Sequence, residues 1–164
     1  MLLHIVRHGS AGVRNDDDPA DTERHLDATG VRQAVHLAKR LTVASPDDVE
    51  GHDPLGVVLA SPAARCIETV EPLAASAGVD LGIDDRLFEG TDIERSWGLV
   101  EELARAGENA VLCSHGDVIP DLIRRAKGRG MEIWGKSGCS KGSMWTLTWD
   151  GERFITGTYE PNPG

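Results

Sequence analysis

Short apolar runs alternate along this chain with segments that repeat apolar residues at helical spacing. The apolar runs occupy residues 2–6, 55–60, 79–83 and 110–114. Helical spacing follows each of them, over about 31–41, 62–77, 93–103 and 117–126. Strands that alternate with helices are joined by right-handed crossovers into a mostly parallel sheet covered on both faces. The pattern therefore predicts an α/β fold, a three-layer α/β/α sandwich.

The last part of the chain follows a different period. Apolar residues alternate with threonine over 145–149, Asp150 and Gly151 come next, and apolar residues return at 154–155. A period of two indicates strands, and Asp-Gly between two strands indicates a tight turn. We therefore predict a C-terminal β-hairpin at the edge of the sheet. The length of 164 residues suits one domain, which we assign to residues 1–164.

Charge and composition narrow the classes of partner. The net charge of −10 at pH 7 disfavours binding to nucleic acid and to anionic membranes. No apolar run approaches the roughly 18 residues that a membrane-spanning helix needs. The three cysteines form no CxxC pair, so neither a zinc ribbon nor a disulfide framework is indicated. We expect a cytoplasmic protein that uses no cofactor and no metal ion.

Two histidines and two arginines fall where strands are predicted to end. Arg7 and His8 follow the first strand, His115 follows the fourth, and Arg65 lies in the first turn of the helix after the second. Ligands of open α/β sheets bind at the carboxyl ends of the strands, so we expect these four side chains to meet. Guanidinium groups match phosphate oxygens in geometry and charge, and a neutral imidazole can attack phosphorus. The four residues indicate a site for phosphoryl chemistry.

Four segments resemble motifs of the histidine phosphatase superfamily, which has the phosphoglycerate mutase-like fold. Residues 7–9, Arg-His-Gly, resemble the first motif of that family. Residues 59–69 resemble the second, with a Ser-Pro start, an arginine and a threonine four positions later. Residues 111–116 resemble the third, and residues 26–34 are similar to the helix start of the short SixA-like branch. The resemblance covers residues 2 to about 150.

This resemblance implies a metal-independent phosphatase that forms a covalent phosphohistidine. His8 would be the nucleophile, and Arg7, Arg65 and His115 would bind the phosphoryl oxygens, with His115 also taking part in catalysis. The substrate would be a phosphomonoester or a phosphoramidate. Its source would be either a phosphorylated small molecule or another protein that carries phosphohistidine.

The resemblance also implies an acid that protonates the leaving group. Glu89 follows the third predicted strand, where many members of the family place this acid, so we assign it as the catalytic proton donor. Asp84 and Asp85 lie in the same loop and are the alternatives.

Several other functions are open on the same fold. One is a phosphomutase or phosphotransferase, although Asn15 stands one position later than the asparagine of the mutase motif. A nucleotide-polyphosphate phosphatase and a phosphate-binding module without activity are two more. Residues 130–137 match the nucleotide-binding pattern GxxxxGK[ST]. Because they follow a helix and precede a predicted hairpin, we do not expect them to form a phosphate-binding P-loop.

A basic stretch follows the helix that starts after His115. It comprises Arg124, Arg125, Lys127, Arg129, Lys136 and Lys141. A helix of about ten residues carries the chain roughly 15 Å from its start. We therefore expect these charges to lie too far away to touch a small phosphate, and to bear only on a large acidic partner such as a phosphorylated protein.

Overall fold

The computed structural model describes residues 1–42 and 54–163. In chain order, the strands and α-helices of these residues are β1 (Leu2–Arg7), α1 (Ala28–Thr42), β2 (Leu55–Ala60), α2 (Ala64–Ala77), β3 (Leu81–Ile83), α3 (Ile93–Ala106), β4 (Asn109–Ser114), α4 (Val118–Gly128), β5 (Glu132–Trp134), β6 (Met144–Trp149) and β7 (Phe154–Glu160). The described elements therefore follow the predicted alternation of strand and helix up to α4.

The strands form one sheet in the order β3-β2-β4-β1-β6-β7-β5. The first four in this order run parallel, β6 is antiparallel to β1, and β7 is antiparallel to β6. The predicted α/β class and the β6–β7 hairpin are confirmed. The hairpin lies one place inside the edge, because the short β5 pairs in parallel with β7 and forms the outermost strand.

Helices cover both faces of the sheet, which confirms the three layers. On one face α1 and α2 pack together, and on the other α3 packs against α4. Alternate residues of β1 serve the two faces: Leu3 and Ile5 belong to the core beneath α3 and α4, and Val6 belongs to the core beneath α1 and α2. A central strand that is buried on both faces has little freedom to shift, so the residue that follows it is held firmly.

The GxxxxGK[ST] match takes up no P-loop structure. Residues 130–137 contain the edge strand β5, and the described chain after them continues into β6 without a helix. A P-loop needs a strand before it and a helix after it, so that backbone N–H groups surround the phosphates. Here the helix α4 precedes the segment and the strand β6 follows it, which is the reverse order.

Helices of membrane-spanning length and hydropathy do not occur among residues 1–42 and 54–163.

Candidate active site

The carboxyl ends of β1 and β4 lie side by side and bring the two predicted histidines together. Arg7 pairs with Ser114 in parallel register, and the backbone amide of His8 donates to the carbonyl of Ser114 at 3.1 Å. The ring centroids of His8 and His115 are 5.5 Å apart, and both rings are buried. Residues that are 107 positions apart in the chain thus face each other at one end of the sheet.

Arg65 reaches the same place from the first turn of α2. Cys66, Val70 and Leu73 are fully buried against the sheet, and their packing fixes the rotation of the helix. The Arg65 side chain is 1% exposed, and its Nη2 lies 3.5 Å from Nδ1 of His115. The helix therefore holds a guanidinium directly beside the second histidine.

Arg7 completes the group and depends on a glycine. A Cβ at position 116 would lie 2.9 Å from Cζ of Arg7, so only glycine allows this guanidinium to pack against the backbone that follows His115. Nη1 of Arg7 donates to the carbonyl of Cys139 at 2.7 Å. The structure thus assembles all four residues that the sequence placed at strand ends.

One hydrogen bond determines which nitrogen of His8 is available. Nδ1 lies 2.8 Å from the carbonyl oxygen of Gly9, and a carbonyl only accepts, so Nδ1 carries the proton of the neutral ring. The Gly9 amide in turn donates to Oγ1 of Thr69 at 2.9 Å, and the Thr69 hydroxyl donates to the carbonyl of Arg65 at 2.6 Å. This chain of bonds fixes the imidazole with the lone pair on Nε2.

The surroundings keep the His8 imidazole neutral. Burial is the largest cause, and it lowers the pKa of His8 from 6.5 to about 3 against the opposing effect of the Gly9 carbonyl. The nearby charges of His115, Arg65 and Arg7 lower the pKa further. A neutral ring near pH 7 is the form that can attack an electrophile.

The depressed pKa of His8 predicts a loss of stability in mild acid. Below pH 6.5 the unfolded chain takes up a proton on His8 that the folded protein does not accept until about pH 3. Stability is therefore fully present above pH 6.5 and declines as the pH falls through this window, by about 1.4 kcal/mol per pH unit. Urea unfolding at pH 6.5 and 4.5 should give a free energy about 2.3 kcal/mol lower at pH 4.5, because half of the unfolded His8 is already protonated at pH 6.5.

His8→Asn provides the control, because asparagine does not titrate. We expect the free energy of unfolding of this variant to change distinctly less between pH 6.5 and 4.5 than that of the wild type. Equal slopes in the two proteins would show that His8 is not the group held neutral.

Two buried guanidinium nitrogens have no hydrogen-bond partner. They are Nε of Arg7 and Nε of Arg65, both among the described residues. Buried N–H groups in native proteins are nearly always paired, and an unpaired one costs roughly 1–3 kcal/mol. Two such donors on neighbouring arginines, beside two imidazoles, are suited to an anion with several oxygens.

Of the three candidate acids, Glu89 lies at this site. Its Oε1 is 3.3 Å from Nη2 of Arg65, and its side chain is 21% exposed. Asp84 instead accepts from the backbone and the guanidinium of Arg86, which lower its pKa. Asp85 is exposed, and within the described residues the ion pairs of Arg65 are with Asp21 and Glu89 instead. Of the three carboxylates, Glu89 is thus the one that contacts Arg65 within the described residues, and Asp84 is paired with Arg86.

The long polar segment before α1 contributes a residue that the sequence did not single out. The backbone carbonyl of Asp21 accepts a hydrogen bond from Nη1 of Arg65 at 3.1 Å, and the Asp21 carboxylate lies 3.8 Å from the same nitrogen. That carboxylate also pairs with Arg24 at 3.0 Å and accepts from the amide of Asn15 at 3.1 Å. Arg24 and Asn15 thereby hold Asp21 against the buried arginine. The length of the polar segment was the only signal for such a role.

Asp21→Ala should weaken substrate use without unfolding the protein. Without the Asp21 carboxylate, Arg24 loses its ion-pair partner, and the Arg65 guanidinium loses one of the two carboxylates that orient it. We therefore expect kcat/KM to fall about tenfold. Asp21→Asn should retain more activity, because the amide oxygen still accepts from Arg24 and Asn15. Steady-state kinetics on a small phosphomonoester would measure both variants.

Asp17→Ala is the matched control on the same loop, because its side chain is exposed and lies outside the contacts with Arg65. Wild-type kinetics for Asp21→Ala, or the same loss for Asp17→Ala, would contradict the positioning role of Asp21.

The second part of the basic stretch lies on a segment that returns to the site, so the length of α4 does not set its distance from the site. After β5 the chain turns back: the Cys139 carbonyl accepts from Arg7, and the Gly142 amide donates to the carbonyl of His8 at 3.1 Å. Lys136 and Lys141 belong to this returning loop. Counting residues along α4 could not reveal the return, because pairing between distant strands causes it.

The arginines in and directly after α4 are paired with acids of α3 and α4. Arg124 pairs with Asp121, Arg125 with Glu94 and Arg129 with Glu101. Their charges are thus largely compensated within the chain.

His115 has a further partner that the Ser-Pro start of the second motif supplies. Oγ of Ser61 lies 2.8 Å from Nε2 of His115, and the Phe88 ring packs edge-on against the imidazole at 5.8 Å. These contacts fix the ring of His115 facing His8. Clusters of three or more His, Cys, Asp or Glu side chains that could hold a metal ion are absent from the described residues.

Known proteins are similar to this chain in sequence and in fold. The profile of the histidine phosphatase superfamily (branch 1) matches residues 3–103. An 8-oxo-(d)GTP phosphatase of Mycolicibacterium smegmatis is 33% identical over 166 residues, which cover 97% of this chain and 48% of that protein. The chain thus spans about half the length of this curated relative.

Solved structures agree in fold at lower identity. The protein histidine phosphatase SixA in complex with tungstate superimposes with a TM-score of 0.70 at 20% identity, covering 98% of this chain and 95% of that one. A mycobacterial glucosyl-3-phosphoglycerate phosphatase gives 0.68 at 18% identity, covering 97% and 96%. The fold is common to these proteins.

Proposed function

This chain belongs to the histidine phosphatase superfamily, branch 1, and we propose that it hydrolyses nucleoside polyphosphates through a phosphohistidine formed on His8. The observation that carries this proposal is the state of His8: buried, neutral, protonated on Nδ1 and next to two arginines with unpaired Nε–H groups. Such a group can attack a phosphorus atom whose oxygens the arginines bind.

In the first half-reaction Nε2 of His8 bonds to phosphorus, and the bond from phosphorus to the leaving-group oxygen breaks. Arg7, Arg65 and His115 bind the non-bridging oxygens, where negative charge is spread in the transition state. A phosphoryl oxygen on Arg65 displaces Glu89 from that guanidinium, and the freed Glu89 carboxylate takes up a proton from the solvent. Glu89 then donates this proton to the leaving oxygen, so the product departs as an alcohol or a shorter phosphate.

In the second half-reaction water attacks the phosphohistidine. Glu89, now a carboxylate, takes a proton from the water as the new P–O bond forms. The P–Nε2 bond breaks, inorganic phosphate leaves, and His8 returns to its neutral form. Each proton and electron pair is accounted for without a metal ion.

The choice of a nucleotide substrate rests on the relative that is 33% identical, which acts on 8-oxo-(d)GTP. The SixA-like structures share only about a fifth of their residues with this chain and support the fold alone. We therefore place a phosphohistidine protein second, and a phosphomutase or an idle phosphate-binding module after it.

A substrate panel with alkaline quenching tests this proposal. A nucleoside triphosphate, a phosphohistidine peptide and 4-nitrophenyl phosphate are each mixed with the enzyme, and phosphate release and acid-labile, base-stable phosphoprotein are measured. We expect the triphosphate to give the highest kcat/KM and a transient phosphoenzyme. Turnover of the peptide alone would shift the substrate to proteins, and phosphate transfer to an acceptor would indicate a mutase. Binding without phosphoenzyme or product would indicate an idle module.

A further inference from the structure

A cavity of about 520 Å³ opens beside the candidate active site. We call it the lateral cavity. Its wall includes Pro62, Asp85, Phe88, Glu89, Asp92 and Arg95. Cavities of this size are typical of sites for small molecules. None of the steps proposed above uses Asp85, Asp92 or Arg95.

The lateral cavity is continuous with the residues that surround the phosphoryl group. Glu89, in its wall, lies 3.3 Å from Arg65, and Phe88 packs against the ring of His115 at 5.8 Å. Pro62 directly follows Ser61, whose hydroxyl contacts His115. A group bound in this cavity can therefore belong to the leaving group of the substrate, which is attached to the phosphate that His8 attacks.

The charges of the cavity favour a group rich in N–H donors. Three carboxylates and one guanidinium line it, so such a group would be attracted there. The phosphates that join this group to the attacked phosphorus would have to lie beside the guanidinium groups of Arg7 and Arg65 rather than in the cavity. Asp85 and Arg95 are both exposed, and neither forms an ion pair within the described residues. Both are therefore available to a ligand, in contrast to Asp84, which is occupied by Arg86.

We propose that the lateral cavity binds the guanine base of the substrate, an assignment that rests on the proposed function. Guanine offers N1–H and N2–H₂ donors on one edge, which the Asp85 carboxylate can accept. It offers O6 and N7 acceptors on the adjoining edge, which an arginine such as Arg95 can bind through two nitrogens. Phe88 and Pro62 supply apolar surface against the faces of the base.

A basic peptide around a phosphohistidine is the main rival for this acidic cavity. Stable protein–protein interfaces bury roughly 800 Å² of surface on each partner. The lateral cavity is a single cavity, and its apolar surface comes from one aromatic side chain and one proline. Apolar surface beside the Asp85 carboxylate and the Arg95 guanidinium matches a single heteroaromatic ring better than an extended chain.

Matched nucleotides test the assignment through selectivity. Guanosine triphosphate carries both donors that Asp85 would bind, inosine triphosphate lacks N2–H₂, and adenosine triphosphate lacks N1–H and O6. We expect kcat/KM to fall about tenfold from guanosine to inosine, since a hydrogen bond to a charged group is lost. The fall to adenosine should be larger. Hydrolysis of 4-nitrophenyl phosphate, which has no base, reports on the phosphoryl site alone.

Two variants separate the two edges of the base. Asp85→Asn should reduce the guanosine-to-inosine ratio to about two or less, because the carboxylate that reads N2–H₂ is gone. Arg95→Met should lower kcat/KM for guanosine and inosine triphosphates alike, because both carry O6 and N7. Glu132→Gln, an exposed acid on β5 at the opposite edge of the sheet, should leave all ratios unchanged.

The outcomes distinguish the cavity from the activity. Turnover of the three triphosphates at equal kcat/KM would overturn the base site and leave the nucleotide phosphatase standing. A uniform loss in Asp85→Asn, with the ratio unchanged, would make Asp85 the proton donor and also overturn the base site. Hydrolysis of 4-nitrophenyl phosphate with no nucleotide turnover would overturn the nucleotide substrate itself. A preference for a basic phosphohistidine peptide that Asp85→Asn abolishes would assign the cavity to proteins.

Discussion

His8→Ala is expected to abolish both turnover and the phosphoenzyme. The variant removes the only group proposed to bond to phosphorus, while Arg7, Arg65 and His115 remain to bind the substrate. We expect kcat to fall by at least about a thousandfold, with acid-labile phosphoprotein undetectable in quenched single-turnover samples. Binding of inorganic phosphate should persist, because its ligands are still present.

His36→Ala is the control for loss of an imidazole, since His36 lies on α1 outside the candidate site. Its kinetics should equal those of the wild type. If His8→Ala kept more than a few per cent of the activity in a clean preparation, His8 would not be the nucleophile. Cooperative unfolding of the variant must be verified, so that loss of activity is not loss of fold.

Arg65→Ala is expected to remove activity while leaving the fold intact. Its guanidinium is fully buried between Asp21, Glu89 and His115, and its Nε–H has no partner. Loss of one donor to transition-state charge is commonly worth about 3 kcal/mol, so kcat/KM should fall a hundredfold or more. The variant loses the contacts of the guanidinium with Asp21 and Glu89 together with the cost of its unpaired Nε–H, and these effects oppose each other, so the melting temperature should change little.

Arg32→Ala tests the same change on an exposed arginine of α1, where it should affect neither property. Arg65→Lys keeps the charge and loses the planar pair of donors, so it should recover only part of the activity. Unfolding of Arg65→Ala, or wild-type kcat/KM, would show that Arg65 serves the structure.

The fold class and the meeting of four residues could be read from the sequence because both follow from local pattern. Apolar runs and helical spacing indicate the elements, and parallel strands bring their carboxyl ends to one edge. Arg7, His8 and His115 needed only this rule, and Arg65 needed only its place in the first turn of a helix.

The features that the sequence did not predict depend on contacts between distant parts of the chain. Strand β5 is only three residues long and mostly exposed, so nothing local marks it as a strand. Its pairing with β7 creates it. The return of Cys139 to Arg7 follows from that pairing. Asp21 lies in a polar segment whose path is set by Arg65 and Arg24, not by its own periodicity.

The position of β1 in the sheet bears on how the protein folds. This strand is made first, yet its neighbours β4 and β6 are residues 109–114 and 144–149. One edge of β1 therefore stays unpaired until residues 109–114 have been made and the other until residues 144–149 have been made, and closing such long loops slows folding. His8 acquires its neutral, oriented ring only when those late strands arrive, so a nascent or partly folded chain carries an ordinary histidine.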